Sequence, residues 1–156
     1  MQVQGACTAG GRIAYVPQNP WCQNLTIKES ILFGNPEDAT LYAAVLHACA
    51  LELDLSILPL GDQSKVGLRG INLSGGQRQR LNLARCAYAD SDLVLLDGAL
   101  SAVDHHTAQH IFEHCVRGLL RDKVCFCCEF ERDGRHMVVV LRVATSICRL
   151  VLAKVV

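Results

Sequence analysis

Residues 73–80 read Leu73-Ser74-Gly75-Gly76-Gln77-Arg78-Gln79-Arg80, and residues 92–97 read Asp92-Leu93-Val94-Leu95-Leu96-Asp97. The first stretch opens a helix-like pattern over 77–88, with Leu81, Ala84, Arg85 and Tyr88 at helical spacing. A hydroxyl and two glycines at a helix start make an anion site: orphan N–H groups point outward, the helix dipole favours negative charge, and absent side chains let a phosphate approach. Read alone, the same residues also describe a plain capped helix after a turn. The second stretch supplies context. It is a continuous apolar run of the kind found in a strand buried on both faces, as in a parallel sheet. Its terminal carboxylate falls where an α/β sheet places ligand-binding groups. There Asp97 can hold Mg²⁺, directly or through water.

Outward from this centre, helices and strands alternate. Residues 11–18, G-R-I-A-Y-V-P-Q, suggest a strand entering a loop at Pro17. A short helix is expected over 25–33, with Thr26 and Glu29 in capping-box register, and Asn35-Pro36 ends it. A second helix is expected over 38–51, with Leu41, Val45, Leu46 and Cys49 on one face. Asp104 is placed to cap a further helix whose apolar residues run Ala108, Ile111, Phe112, Cys115, Val116 and Leu119, and a weaker strand follows over 124–128. This order implies an α/β fold.

The bulk properties exclude several classes. Lysine plus arginine equals aspartate plus glutamate at 15 each, so charge gives no reason to expect a nucleic-acid partner. Nine cysteines are an odd number set mostly within apolar runs, which reads as buried free thiols. Cys125 and Cys128 form C-x-x-C with His136 downstream, but no second ligand pair accompanies them, and no zinc is expected. Residues 1–10 have neither the basic start nor the apolar core of a signal peptide. Residues 137–156 are apolar enough to suggest a membrane span, yet Arg142, Arg149 and Lys154 interrupt them, and a central charge costs about 2.5–3.5 kcal/mol. A membrane helix there is disfavoured.

The ordered motifs resemble a known family. L-S-G-G-Q, L-V-L-L-D and S-A-V-D are similar to the signature, Walker B and D-loop series of ATP-binding cassette (ABC) transporters. Residues 13–34, I-A-Y-V-P-Q-N-P-W-C-Q-N-L-T-I-K-E-S-I-L-F-G, resemble the Q-loop region of the multidrug-resistance-associated C subfamily, with the closest likeness to its first nucleotide-binding domain. The resemblance runs from about Gly11 to Lys123. It implies a partial P-loop NTPase fold with a helical signature-motif subdomain and an incomplete, mainly parallel sheet. Residues 1–124 would be the partial nucleotide-binding domain, with 24–88 helical and 89–124 the Walker B and D-loop part of the core. Residues 125–156 would be a divergent tail. Leu73, Ser74, Gly75, Gly76 and Gln77 would contact the γ-phosphate of an ATP held mainly by a second nucleotide-binding domain. Gln18 would be the Q-loop glutamine, Asp97 the Mg²⁺ ligand assisted by Gln18, and Asp104 the D-loop aspartate. Trp21 would face transmembrane domains, and the chain would lie at the cytoplasmic face of a membrane as part of an exporter.

The departures point the other way for catalysis. No G-x-x-x-x-G-K-[ST] occurs; residues 5–12, G-A-C-T-A-G-G-R, lack both the lysine and the hydroxyl. In the family that motif lies just upstream of the position matching Met1, so the resemblance implies a chain that begins after it. Gly98 stands where the family's catalytic carboxylate would follow Asp97 and has no side chain to accept a proton. Glu129-Phe130 stands near the expected switch histidine. The isolated chain is therefore expected to bind ATP weakly and turn it over negligibly. The alternative is a non-catalytic module, or the product of a decayed gene, presenting the signature loop to a partner. Without a P-loop strand and helix, the strand at 93–96 is expected to lack a neighbour.

Overall fold

The structure, a computed structural model, describes residues 10–70, 72–130, 136–142 and 151–154. Strand β1 (Ile13–Val16) leads through a loop to three helices, α1 (Ile27–Leu32), α2 (Ala39–Ala48) and α3 (Glu52–Ile57). Helix α4 (Gly75–Tyr88) precedes β2 (Leu93–Asp97). Helix α5 (His105–Ile111) runs directly into a π-helical stretch, Phe112–Leu119. Strands β3 (Val124–Phe130), β4 (His136–Arg142) and β5 (Val151–Lys154) complete a sheet of order β1-β2-β3-β4-β5.

The local signals set the helix ends. Thr26 caps α1 through the Glu29 amide at 3.1 Å, while Glu29 accepts from the Thr26 amide at 2.8 Å. Asp38 caps α2 through Thr40 and Leu41. That helix closes at Ala48, short of the expected residue 51, because Ala50 takes a left-handed φ of 53° and turns the chain into α3. Helix α3 lies in a segment that the periodicity left unassigned: its apolar residues Leu53, Leu55 and Ile57 alternate at period two, and only Leu55 packs against the core.

Strands β1, β2 and β3 pair in parallel, with Ile13 opposite Leu93 and Leu93 opposite Val124. The strand at 93–96 is therefore flanked on both edges, contrary to the expectation that it lacks a neighbour. Residues 124–130 fill the place beside it. The expectation of a strand buried on both faces is also corrected. Val94 and Leu96 are buried while Leu93 and Leu95 are half-exposed, and on the same face of β1 Ile13 and Tyr15 stand open. A continuous apolar run does not reveal that only one face is covered. Residues 136–142 and 151–154, within the stretch weighed as a membrane span, pair as antiparallel strands. Among the described residues no helix is long and apolar enough to cross a membrane.

The core joins Val16, Val94 and Leu96 of the sheet to Leu81, Leu83 and Ala84 of α4, Ile31, Val45, and Cys115 and Val116 of the π-helical stretch. Cys49, Cys86, Cys115 and Cys125 are buried free thiols, as expected. Burial pushes Cys86 up to about 12 and Cys125 to about 11, far from a reactive thiolate. The side chains of Cys128 and His136 lie outside the described residues.

Candidate functional site

Ser74 and Gly75 are exposed at the mouth of α4. The Ser74 hydroxyl accepts from the Gln77 amide at 3.2 Å, and Gln77 Oε1 accepts from the Ser74 amide at 2.8 Å. This reciprocal capping box fixes the entry of the helix and satisfies two of its orphan donors. A methyl group on Gly75 would meet nothing within 4 Å, so this end of the helix is open to a bulky anion. Gly76 differs: a Cβ there would lie 3.0 Å from the Ala102 carbonyl oxygen and 3.8 Å from Val103. The 74–77 loop is thereby seated against the S-A-V-D segment of the same chain.

Sequence reasoning missed Asp54. Its carboxylate accepts from Gln77 Nε2 at 2.9 Å through one oxygen and from Arg80 Nη2 at 2.5 Å through the other. Both ionic side chains are about five-sixths buried, at 15% and 16% exposure. Helix α3 thus braces the first turn of α4. Nothing in the sequence separates Asp54 from the other acidic residues.

The C-terminal ends of β1 and β2 lie side by side, Val16 opposite Leu96. Gln18 and Asp97 therefore emerge at one sheet edge, where α/β folds gather ligand groups. The Gln18 side chain covers Gly98, since a Cβ there would meet Gln18 Cγ at 3.1 Å. Gly98 has φ of 55°, a left-handed conformation that glycine adopts without strain, and its carbonyl accepts from the Ser101 hydroxyl at 2.7 Å. Asp97 Oδ2 accepts from the Tyr15 hydroxyl at 3.1 Å. A carboxylate has about four acceptor sites, so this bond leaves it able to bind a cation. With the Gln18 amide oxygen it is a hard oxygen donor set that fits Mg²⁺ with several retained waters.

Helix α4 also holds the segment after β1. Buried Gln79 donates to the Pro17 carbonyl at 3.3 Å, and Asn82 to the Trp21 carbonyl at 3.0 Å. Arg85 donates to the Ser30 carbonyl at 2.8 Å and lies 4.1 Å over the Trp21 ring. Burial lowers the Arg85 pKa, yet the aromatic face and the carbonyl still stabilise its cation. Trp21 and Phe33 meet edge to face at 5.7 Å, both substantially exposed. Asp104 is exposed at the end of the S-A-V-D segment and caps α5 through the Thr107 amide at 3.0 Å. That hydrogen bond holds its carboxyl below the usual range.

Comparison with known proteins follows the same residues. The family model described as ABC transporter matches residues 2–101. The chain is 52% identical over 124 residues to multidrug resistance protein mrp-7 of Caenorhabditis elegans, covering 78% of this chain and 8% of that protein. It is 51% identical over 124 residues to human ATP-binding cassette sub-family C member 3, with coverage of 78% and 8%. To ABC transporter C family member 3 of Dictyostelium discoideum it is 49% identical over 121 residues, with coverage of 78% and 9%. The chain thus spans less than a tenth of the length of these relatives.

Proposed function

Because this chain belongs to the ABC transporter family and carries nucleotide-binding-domain sequence of its C subfamily, we propose that it supplies the signature half of a composite ATP site. In this reading Ser74, Gly75, Gly76 and Gln77, seated by Leu73, meet the γ-phosphate of an ATP held by a second nucleotide-binding domain. Asp97 and Gln18 hold Mg²⁺, which when bound neutralises phosphate charge. Asp104 reaches toward the paired site. Residues 24–88 act as the helical subdomain, 89–124 as part of the core and 125–156 as a divergent extension, in a domain of the first-position type. The whole transporter, on the cytoplasmic face of a membrane, couples ATP binding and hydrolysis to export of a solute, and Trp21 with Phe33 faces its transmembrane domains.

The observation that carries the reading is the open, capped mouth of α4: Ser74 and Gly75 are exposed, and the space at Gly75 is empty. Phosphoryl transfer is chiefly positioning and charge neutralisation. Gly98 brings no carboxylate beside Asp97, so in this reading residues 73–104 contribute phosphate and metal contacts rather than a general base. In a phosphate-release assay the chain alone is expected to match its own Asp97→Ala control. Added to a complete C-subfamily nucleotide-binding domain with ATP and Mg²⁺, it should increase retained nucleotide. Gly75→Asp should abolish that increase, because an aspartate is tolerated in a first helical turn but repels phosphate. Turnover by the chain alone above the control, or no ATP-dependent association with the complete domain, would sink the proposal.

A further inference from the structure

Three histidines, one of them far in sequence from the other two, meet between α2 and the helix that runs from α5 into the π-helical stretch. His47 comes from the last turn of α2, His110 from α5 and His114 from the π-helical stretch. One ring nitrogen from each lies within 4.8 Å of the other two. The ring centroids are 5.1 Å apart for His47 and His110, 5.2 Å for His47 and His114, and 4.4 Å for His110 and His114. His110 and His114 are four residues apart, the spacing that sets two imidazoles on one helical face.

The hydrogen bonds around the cluster orient two of the rings. His47 Nδ1 faces Glu52 Oε2 at 3.1 Å, and His110 Nε2 donates to the His47 carbonyl at 2.8 Å. These partners select the tautomers that leave Nε2 of His47 and Nδ1 of His110 as lone pairs. A carboxylate and a backbone carbonyl play this outer-shell part at metal-bound histidines. The left-handed turn at Ala50 is what returns Glu52 to His47. The α2 C-terminus adds the negative end of a helix dipole, which favours a cation. A cleft lined by His47, Glu52, His106 and His110 opens the place to solvent.

We propose that His47, His110 and His114 form a three-imidazole site for a divalent transition ion of the Zn²⁺ class, clipping α2 to the α5–π helix that follows the S-A-V-D segment. Imidazole ligands suit this class and not Mg²⁺ or Ca²⁺. Tetrahedral Zn²⁺ at a Zn–N length near 2.05 Å needs ligand nitrogens about 3.3 Å apart. The three nitrogens, already within 4.8 Å of one another, reach that spacing chiefly by rotation of the exposed His114 ring toward the pair oriented by Glu52 and the His47 carbonyl. With water as fourth ligand, the site is distinct from the Asp97–Gln18 edge and uses no cysteine.

Co²⁺ alone is the probe, because its spectrum reports both geometry and ligand type. The full chain is expected to bind one equivalent with tetrahedral visible absorption and no thiolate-to-cobalt charge-transfer band. Zn²⁺ should displace it. His110→Ala and His114→Ala should each remove the absorption, and Glu52→Gln should weaken binding about tenfold. Circular dichroism on the same samples reads the fold. A gain of helix on adding metal supports the same assignment, because binding couples to folding. Absorption that persists in both histidine variants, a thiolate band, or neither absorption nor gain of helix overturns the proposal.

Discussion

Two adjacent glycines in the 74–77 loop have different physical duties. At Gly75 a methyl group meets nothing, and replacing glycine in a helix gains about 0.5–1 kcal/mol. At Gly76 the same methyl presses on the Ala102 carbonyl at 3.0 Å, backbone that cannot swing aside, and overpacking of this kind costs about 1–3 kcal/mol. Gly75→Ala is therefore expected to leave the urea midpoint unchanged or slightly raised, and Gly76→Ala to lower stability by about 1 kcal/mol, net of the helix gain. Urea titrations of the two variants side by side test the assignment. Equal behaviour would mean that the S-A-V-D segment does not rest on α4.

Between elements, the decisive contact is Asp54 of α3 with Gln77 and Arg80 of α4. Asp54→Ala leaves a mostly buried guanidinium without its counter-ion, an expected loss of about 2 kcal/mol. The same change should loosen the 74–77 loop, readable as faster exchange of the Gly75 and Gly76 amides. Helix caps give the pH response. The carboxyls of Asp104 and Glu29 are both held below their ordinary values of 3.8 and 4.5, chiefly by backbone N–H donors of Thr107 and Thr26. A depressed folded-state pKa stabilises above the unfolded value, and the benefit is lost as pH falls through the folded one. Helix content is thus expected to hold above about pH 5 and to decline below about pH 4. Asp104→Asn, which caps without titrating, should flatten part of that decline in a circular-dichroism pH series.

At the scale of the molecule, β2 is the inner strand between β1 and β3, and its Val94 and Leu96 enter the same core as α4. Amides over 93–97 and 81–88 should therefore exchange together and most slowly. Native-state hydrogen exchange with fast 93–97 amides would show that the β2–β3 pairing does not hold in solution. The exposed face carrying Ile13 and Tyr15 is where the sheet has apolar surface left over. Burial there by a further element would add stability without altering the signature loop, which lies on α4.

How much of this was legible depended on the range of the forces involved. The caps at Thr26, Ser74 and Asp104 and the strand ending at Asp97 were readable because capping and apolar runs act within a few residues, whereas the spacing of Leu81, Ala84, Arg85 and Tyr88 showed one face of a helix that is buried all round from Leu81 to Tyr88. The motif order also carried the family. Helix α3 escaped because its apolar residues Leu53, Leu55 and Ile57 alternate instead of following helical spacing, and the strand at 93–96 was misjudged because no local signal names its neighbours. By itself the sequence determined the family, the capped starts of α1, α2, α4 and α5, and the strands at 13–16 and 93–97. Only the tertiary structure brought Asp54 to Arg80 across 26 positions, Gln18 over Gly98, and His110 to His47 across 63. Such meetings are set by how helices stack on the sheet, a long-range packing outcome that leaves no periodic trace in the chain.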